Sequence, residues 1–409
     1  MNASRPPLRT LDVALADLLA RVTPLPRTES VATLDADGRV LVQDLVSALQ
    51  VPPQDNSSMD GYAVRCADLG AASAAWPVSQ RIPAGSAAQP LQAGTVARIF
   101  TGAPVPEGAD AIVMQEDTET LADGAVRVLR APQPGQWIRR SGEDVARGDV
   151  VLRAGSRLSP AETGLAASIG LAQLPVSVRP RVALFSTGDE LVMPGTVPPQ
   201  AMKPGAIYNS NRFFLRALLA RLGCEVTDLG IVPDQREATV QALRDASEGH
   251  DLILTSGGVS VGEEDHIKPA VQALGTLDLW QIAIKPGKPF AYGRIGAAHF
   301  IGLPGNPVSS FVTFLVLVRP FLLKLQGASA LTPPVTRLPA HFDWPRPDKR
   351  REFLRVRRNP QGGLDLFANQ SSGVLTSVAW GDGLVDNPPG GVIARGDGVS
   401  FISLSDLLA

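Results

Sequence analysis

Leu11, Leu15, Leu18 and Val22 recur at three- and four-residue steps behind Thr10, a spacing that predicts an amphipathic first helix capped by the threonine hydroxyl. From about 47 to 147 no helical period survives. Short β-branched runs alternate with Gly, Pro and Asp, as in RIPAGSAAQPLQAGTVARIF, and predict a β domain. At 159–162 the tetrapeptide SPAE supplies a cap, a proline for the first helical position and a glutamate that can answer the cap, so the chain returns to helix.

Strand and helix alternate from 179 to 327. RVALFS is followed by a helix over 211–222 stopped by Gly223, then CEVTDLGIV, a helix over 236–247, DLILTS, a helix from Asp265, HFIGL, and a helix over 308–325 with an internal Arg319-Pro320. Apolar strands alternating with helices predict a doubly wound, mostly parallel α/β sheet. After LTPPVT at 331–336, the runs REFLRVR, GLDLFA and VIARGDGVSFISL predict a small β domain at the end of the chain.

Composition narrows the function classes. A chain of 409 residues with 44% hydrophobic and 19% charged residues is too long for one core and can bury several. Its 38 basic against 40 acidic residues leave a formal charge of -2, so no global field exists to hold nucleic acid or an anionic membrane. Cys66 and Cys224 are too few for a disulfide framework or a thiolate cluster, which fits a reducing cytoplasm. Asp12, Asp17 and Arg21 interrupt the amino-terminal apolar residues, so a signal peptide is not expected there. The apolar run at 311–318 is far short of the roughly 20 residues a bilayer demands, and Arg319 and Pro320 end it, so no membrane span is expected.

In an open parallel sheet, ligands bind where the carboxyl ends of strands feed loops at the reversal of strand order. Those loops read STGDEL (186–191), VPD (232–234), TSGGVSVGEED (255–265), KPGKP (285–289) and GLPGNPVSS (302–310). Gly257, Gly258 and Gly262 allow main-chain amides to approach a phosphate closely. No GKS or GKT follows, and the spacing is not GxGxxG, so generic nucleotide folds are disfavoured. Glu190, Asp234 and Asp265 are hard oxygen donors of the kind that suits magnesium on a pyrophosphate, with Lys285 and Lys288 to neutralise the anion. Taken singly, a loop carboxylate is more often a helix cap or a solvated charge. Several on one rim argue for a ligand site. DNSSMDGYAVR (55–65) and FTGAPVPEGADAIVMQED (100–117) are on their chemistry well-made turns. His266 and His299 have no partner at metal spacing and receive no role.

In chain order, DNSSMDGYAVR, TGAPVPEGADAIVMQED, SGEDVARGDVVL, STGDEL, TSGGVSVGEEDH, KPGKPFAYG and GLPGNPVSS closely resemble the molybdopterin molybdenumtransferase family, which includes the gephyrin E domain. The resemblance is strong over 55–325 and weak beyond 331. It implies an elongated α/β multidomain molecule: a linking domain (7–46 plus 148–178), an inserted β domain (47–147), an α/β molybdopterin-binding domain (179–327) and a barrel-like C-terminal β domain (328–409). It also implies a cytoplasmic homodimer, with the β domain of one subunit covering the α/β domain of the other. The implied reaction takes adenylylated molybdopterin from a molybdopterin adenylyltransferase, and molybdate, to molybdenum cofactor and AMP with Mg2+.

Carried over by motif position, Asp60 and Thr101 reach the site from the β domain, and Glu190, Asp234, Asp265, Lys285 and Lys288 line it from the α/β domain. Ser186, Thr187, Gly188, Asp189, Ser256, Gly257, Gly258, Ser260, Gly262, Pro304, Gly305, Asn306 and Pro307 form the substrate loops, with Glu190, Asp234 and Asp265 as metal ligands. VPDQRE carries one acidic residue where family loops often carry two, leaving Asp234 alone as the candidate there. In the last domain Arg351, Arg355 and Arg357 alternate along a β run and are expected on a solvated strand face, with Arg351 or Ser372 as the alternative anion contact.

Three rival readings remain at this level. A scaffold role, known among gephyrin relatives, rests on additional domains absent from this sequence. A molybdopterin adenylyltransferase shares TSGG-type loops but lacks DNSSMDGYAVR and the flanking β domains. Tungstate in place of molybdate is separated by no residue.

Overall fold

The computed structural model describes residues 8–70, 74–258 and 266–408 of the chain. Helix α1 (Leu11–Ala20) starts where Thr10 accepts from the Val13 amide, and it buries Leu11, Ala14 and Leu18 against the large apolar core. Thr28–Ala32 pairs antiparallel with Gln173–Ser177, and Leu45–Val46 with Val150–Leu152. The chain therefore leaves and re-enters one framework around the β-rich excursion between them. Helix α2 (Pro160–Ser168) carries both halves of the capping box, Ser159 bonding the helix amides and Glu162 answering the Ser159 amide.

Within the excursion, a four-stranded sheet runs in the order Val78–Ile82, Val96–Ile99, Gly61–Val64, Ala111–Met114. Gly61 permits its centre: a Cβ there would lie 1.9 Å from the Val113 carbonyl oxygen.

The central sheet has six strands, β1 (Arg181–Thr187), β2 (Glu225–Val232), β3 (Leu252–Ser256), β4 (Gly275–Gln281), β5 (Pro289–Ile295) and β6 (Ala298–Leu303). Their order is β2-β1-β3-β6-β5-β4, with β2, β1, β3 and β6 parallel and β5 and β4 antiparallel to their neighbours. The alternation of strands and helices foresees the four parallel strands and misses β4 and β5. Those two strands bracket KPGKP, whose prolines and glycine dominate the local pattern, and β5 turns into β6 through Gly296 at φ +57°. Helix α3 (Asn211–Arg221) packs on one face of the sheet, while α4 (Arg236–Ser247) and α5 (Ile267–Leu274) pack on the other. From β1 the chain passes to β2 on one side and then to β3 on the other, so strand order reverses between β1 and β3.

The helix after β6 runs from Pro307 to Leu325 with Arg319-Pro320 inside it, as expected. Phe314–Val318 adopts a π turn in which the Arg319 amide reaches back to the Phe314 carbonyl. That wider turn makes room for a proline ring one residue later. The 19-residue helix is long and apolar enough to cross a bilayer, but 89% of it is buried inside the fold, where it serves as the central core helix.

The last sheet runs Ile284–Lys285, Arg351–Arg358, Gly383–Asn387, Gly398–Ser403, Thr336–Pro339. Leu364–Leu366 pairs with Arg351–Arg358, and the bridge Ala340–Leu364 joins the two edges into a closed ring around Phe342, Leu354, Val356, Val385 and Phe401. The strand expected at Arg351–Arg358 is present and Arg357 is exposed on it, but Arg351 is half-buried and Arg355 is not solvated. Arg355 is 1% exposed; its guanidinium donates to Ser377 Oγ and to the Phe353 and Ser371 carbonyls, and burial pushes its pKa down to about 10. Arg357 lies over the Trp380 ring.

Candidate active site

The carboxyl ends of β1, β3 and β6 share one rim, and register places the KPGKP loop there too: β4 runs parallel to β6, and Ala291 near the start of β5 faces Gly302 near the end of β6. At the switch point, Gly257 (φ +95°) and Gly258 (φ +66°) turn the chain after β3. A Cβ at Gly257 would sit 3.1 Å from the Thr187 carbonyl, and one at Gly258 would sit 2.5 Å from Ile267. Close packing and positive φ together require glycine at both positions. The Gly257 amide is held by the Leu303 carbonyl at 3.0 Å.

Asn211, which the loop motifs do not flag, ties the rim together. Its amide nitrogen donates to Ser256 Oγ and to the Gly305 carbonyl, both at 2.7 Å, joining the end of β3 to the GLPGNP loop from the first turn of α3. Asn209 Oδ1 accepts from the Arg212 amide at 3.2 Å and fixes that turn. The available signal was the pair of asparagines in YNSN before an apolar helix, which reads equally well as ordinary capping.

Ser186, Thr187 and Ser256 are buried and shape the strand ends, whereas Asp189, Glu190, Gly305 and Asn306 are exposed on the loops. Gly188 (φ +139°) lies directly under the Glu190 carboxylate, 2.5 Å from where its own Cβ would be. Asp189, Glu190 and Lys203 line a depression of about 490 Å³ beside it. Pro304 is buried and Pro307 opens the core helix. The Ser372 carbonyl accepts from the Val308 amide at 2.9 Å, so the barrel touches this loop. Glu190, Asp234 and Lys288 have no hydrogen bond or ion pair through their side chains among the described residues. Ser260, Gly262 and Asp265 lie outside the described residues.

Two expected cations carry carboxylate partners. Lys285 Nζ is 3.0 Å from Glu352 and 3.2 Å from Asp348. Burial opposes its charge, but the bonds from Glu352 and Asp348 outweigh that and hold its pKa above the ordinary value. Arg351 is bound through two nitrogens to Asp386 at 2.6 and 2.5 Å and reaches Asp12 at 2.9 Å. Its charge is thus compensated before any substrate anion arrives.

In the β-rich excursion, Gly61 pairs with Ile99, which brings Asp60 and Thr101 to the same sheet end. Asp60 Oδ1 accepts from the Thr101 amide and from its hydroxyl, both at 2.8 Å. The amide bond, then the hydroxyl bond, holds the Asp60 carboxyl below the usual range, with Arg98 adding a smaller effect. Asp60 is therefore a turn-closing residue and an ionised carboxylate together. Among the described residues no hydrogen bond or ion pair links this pair to the α/β rim of the same chain.

Family models match the chain along its length: the MoeA N-terminal region (domain I and II) over 9–170, a probable molybdopterin binding domain over 183–324, and the MoeA C-terminal region (domain IV) over 337–404. The fold and rim thus define a multidomain protein built on an α/β domain of the molybdopterin-binding type. The chain is 44% identical to a molybdopterin molybdenumtransferase of Haemophilus influenzae over 78% of each chain. It is 39% identical to molybdopterin molybdenumtransferase 2 of Mycobacterium tuberculosis over 88% of this chain and 91% of that one. The molybdopterin biosynthesis moeA protein of Pyrococcus horikoshii superposes with a TM-score of 0.83 at 29% identity, covering 97% of this chain and 100% of that one. The chain belongs to the molybdopterin molybdenumtransferase family, and it is a transferase.

Proposed function

We propose that this enzyme transfers molybdenum from molybdate to the dithiolene of adenylylated molybdopterin and releases AMP. The observation that carries the reading is the Gly257-Gly258 turn at the switch point of the sheet, on a rim whose loops also carry Glu190, Asp234 and Lys288 without side-chain partners among the described residues. The glycine turn would let a phosphate approach the main chain closely, and Lys288 would supply a positive charge.

Among the described residues no group of three His, Cys, Asp or Glu side chains is assembled for a metal. Magnesium takes few protein carboxylates and completes its shell with water and substrate phosphates. Glu190 and Asp234 would hold it, with Asp265 as the third expected ligand. Bound there, the ion would withdraw charge from the pyrophosphate. Asp60, kept ionised by Thr101, would act from a second copy of the chain in a homodimer. The lack of any bond from that pair to its own rim supports this arrangement.

Mixing two inactive variants tests the reading. Asp60→Ala and Glu190→Ala should each lose molybdate-dependent AMP release. Exchanged into mixed dimers, they should regain about a quarter of wild-type turnover, because one of two sites is intact in half of the dimers. No recovery on mixing would reject the shared site; full activity of either variant alone would remove that residue.

A further inference from the structure

The position of one rim cation is set from outside the central sheet. Ile284–Lys285 pairs in parallel with the barrel strand Arg351–Arg358, placing Lys285 opposite Glu352. Glu352 is 1% exposed; one of its oxygens accepts from Trp344 Nε1 at 2.8 Å and Asn387 Nδ2 at 3.3 Å. Lys285 Nζ, at 3.0 Å, is the one group reaching the other oxygen among the described residues. Withdrawing the ammonium would leave a buried carboxylate oxygen without a cation, a costly arrangement. Lys285 therefore stays. Glu352 and Asp348 thus hold the ammonium between two ion-pair contacts.

The local charges balance: Lys285 and Arg350 face Asp348 and Glu352, with Lys288 outside the cluster on the same loop. The two lysines of KPGKP are thus physically different. Lys288 has no side-chain partner among the described residues, whereas Lys285 is a cation clamped by two carboxylates.

Resting on the transferase reading, we propose that Glu352, assisted by Asp348, is a positioning residue that fixes Lys285 as a hydrogen-bond donor to the anionic group of the substrate. The barrel thereby sets part of the geometry of the α/β rim. Lys285 is held protonated and does not act as a base.

The test uses full-length wild type, Glu352→Gln, Glu352→Asp and Asp348→Asn. Acetic anhydride labelling of individual lysines between pH 8 and 10, read by peptide mass spectrometry, needs no turnover, because only the free amine reacts. Glu352→Gln should raise Lys285 labelling about fivefold, from a pKa decrease of under one unit, while Lys288 is unchanged. Glu352→Asp should lie between Glu352→Gln and wild type. In turnover, KM for the adenylate should rise about tenfold in Glu352→Gln, the worth of one charge-assisted hydrogen bond, with a smaller fall in kcat. Unchanged Lys285 labelling in Glu352→Gln would overturn the proposal, as would an equal rise at Lys288. If Glu352→Gln does not fold, Asp348→Asn decides in the same way: a selective rise at Lys285 supports the clamp, and no rise overturns it. Selective labelling in a protein that turns over no substrate would leave the clamp standing and reject the transferase reading instead.

Discussion

Replacing Gly257 by alanine should damage the rim through both its backbone conformation and its packing. Gly257 has φ +95° and its Cβ would lie 3.1 Å from the Thr187 carbonyl oxygen. That oxygen cannot retreat freely, because β1 is paired with β2 through Thr187 and Val232 and with β3 through Ser186 and Ser256. A left-handed conformation costs an L-residue about 1–2 kcal/mol, and the backbone contact brings the total to roughly 2–3 kcal/mol. The chain can absorb this in two ways. If the turn holds, the urea midpoint falls; if it moves, the Gly257 amide loses the Leu303 carbonyl and the phosphate cradle opens. Urea unfolding followed by fluorescence, with calorimetric titration of the adenylate, separates the two routes. We expect a stability loss of about 2 kcal/mol, a loss of affinity of about tenfold or more, or a share of each. Wild-type stability together with wild-type affinity would refute the reasoning.

Other expectations follow from charge and burial. His299 is 6% exposed; burial first, then Arg294, hold its pKa down at about 4, while Tyr292 Oη and Arg294 occupy its two nitrogens. The unfolded chain therefore binds this proton more readily, and stability is lost as pH falls from about 6.5 to 4, by roughly 3 kcal/mol in total; His299→Gln should flatten that segment of the pH-stability curve measured by urea. Arg350 holds the Asp348 carboxyl far below its usual range, so its contribution is present above the unfolded pKa near 4 and disappears in stronger acid. Asp348→Asn should accordingly lessen the acid sensitivity of thermal unfolding below pH 4. Chelating divalent cations with EDTA should stop AMP release, and Mg2+ should restore it.

Much of the architecture could be read from local chemistry. Thr10 and the SPAE box start helices where their side chains satisfy free amides, and Gly223 ends α3 at φ +75°. Strands β1, β3 and β6 stand out because they are buried on both faces, whereas β2 at the sheet edge alternates between exposed and half-buried positions. β4 and β5 do not stand out, since GTLDLWQ and PFAYGRI flank a loop rich in breakers and have no helix between them. At the rim, the need for glycine at 257 and 258 was legible because a tight turn is a local requirement. The partners of Lys285 and Arg351 were not: Glu352, Asp386 and Asp12 come from distant parts of the chain and meet them only after the barrel docks. Arg355 misled for the same reason, since the segment carrying Ser371 and Ser377 covers a strand position that alternation alone would leave in water.

The most direct test of the account mixes purified protein with adenylylated molybdopterin and Mg2+, adds or omits molybdate, and follows AMP and molybdenum-loaded pterin in the same samples. The account predicts AMP release that depends on molybdate and matches metal capture one for one. Tight binding of the adenylate with no turnover under molybdate or tungstate would contradict it and point to a carrier or scaffold.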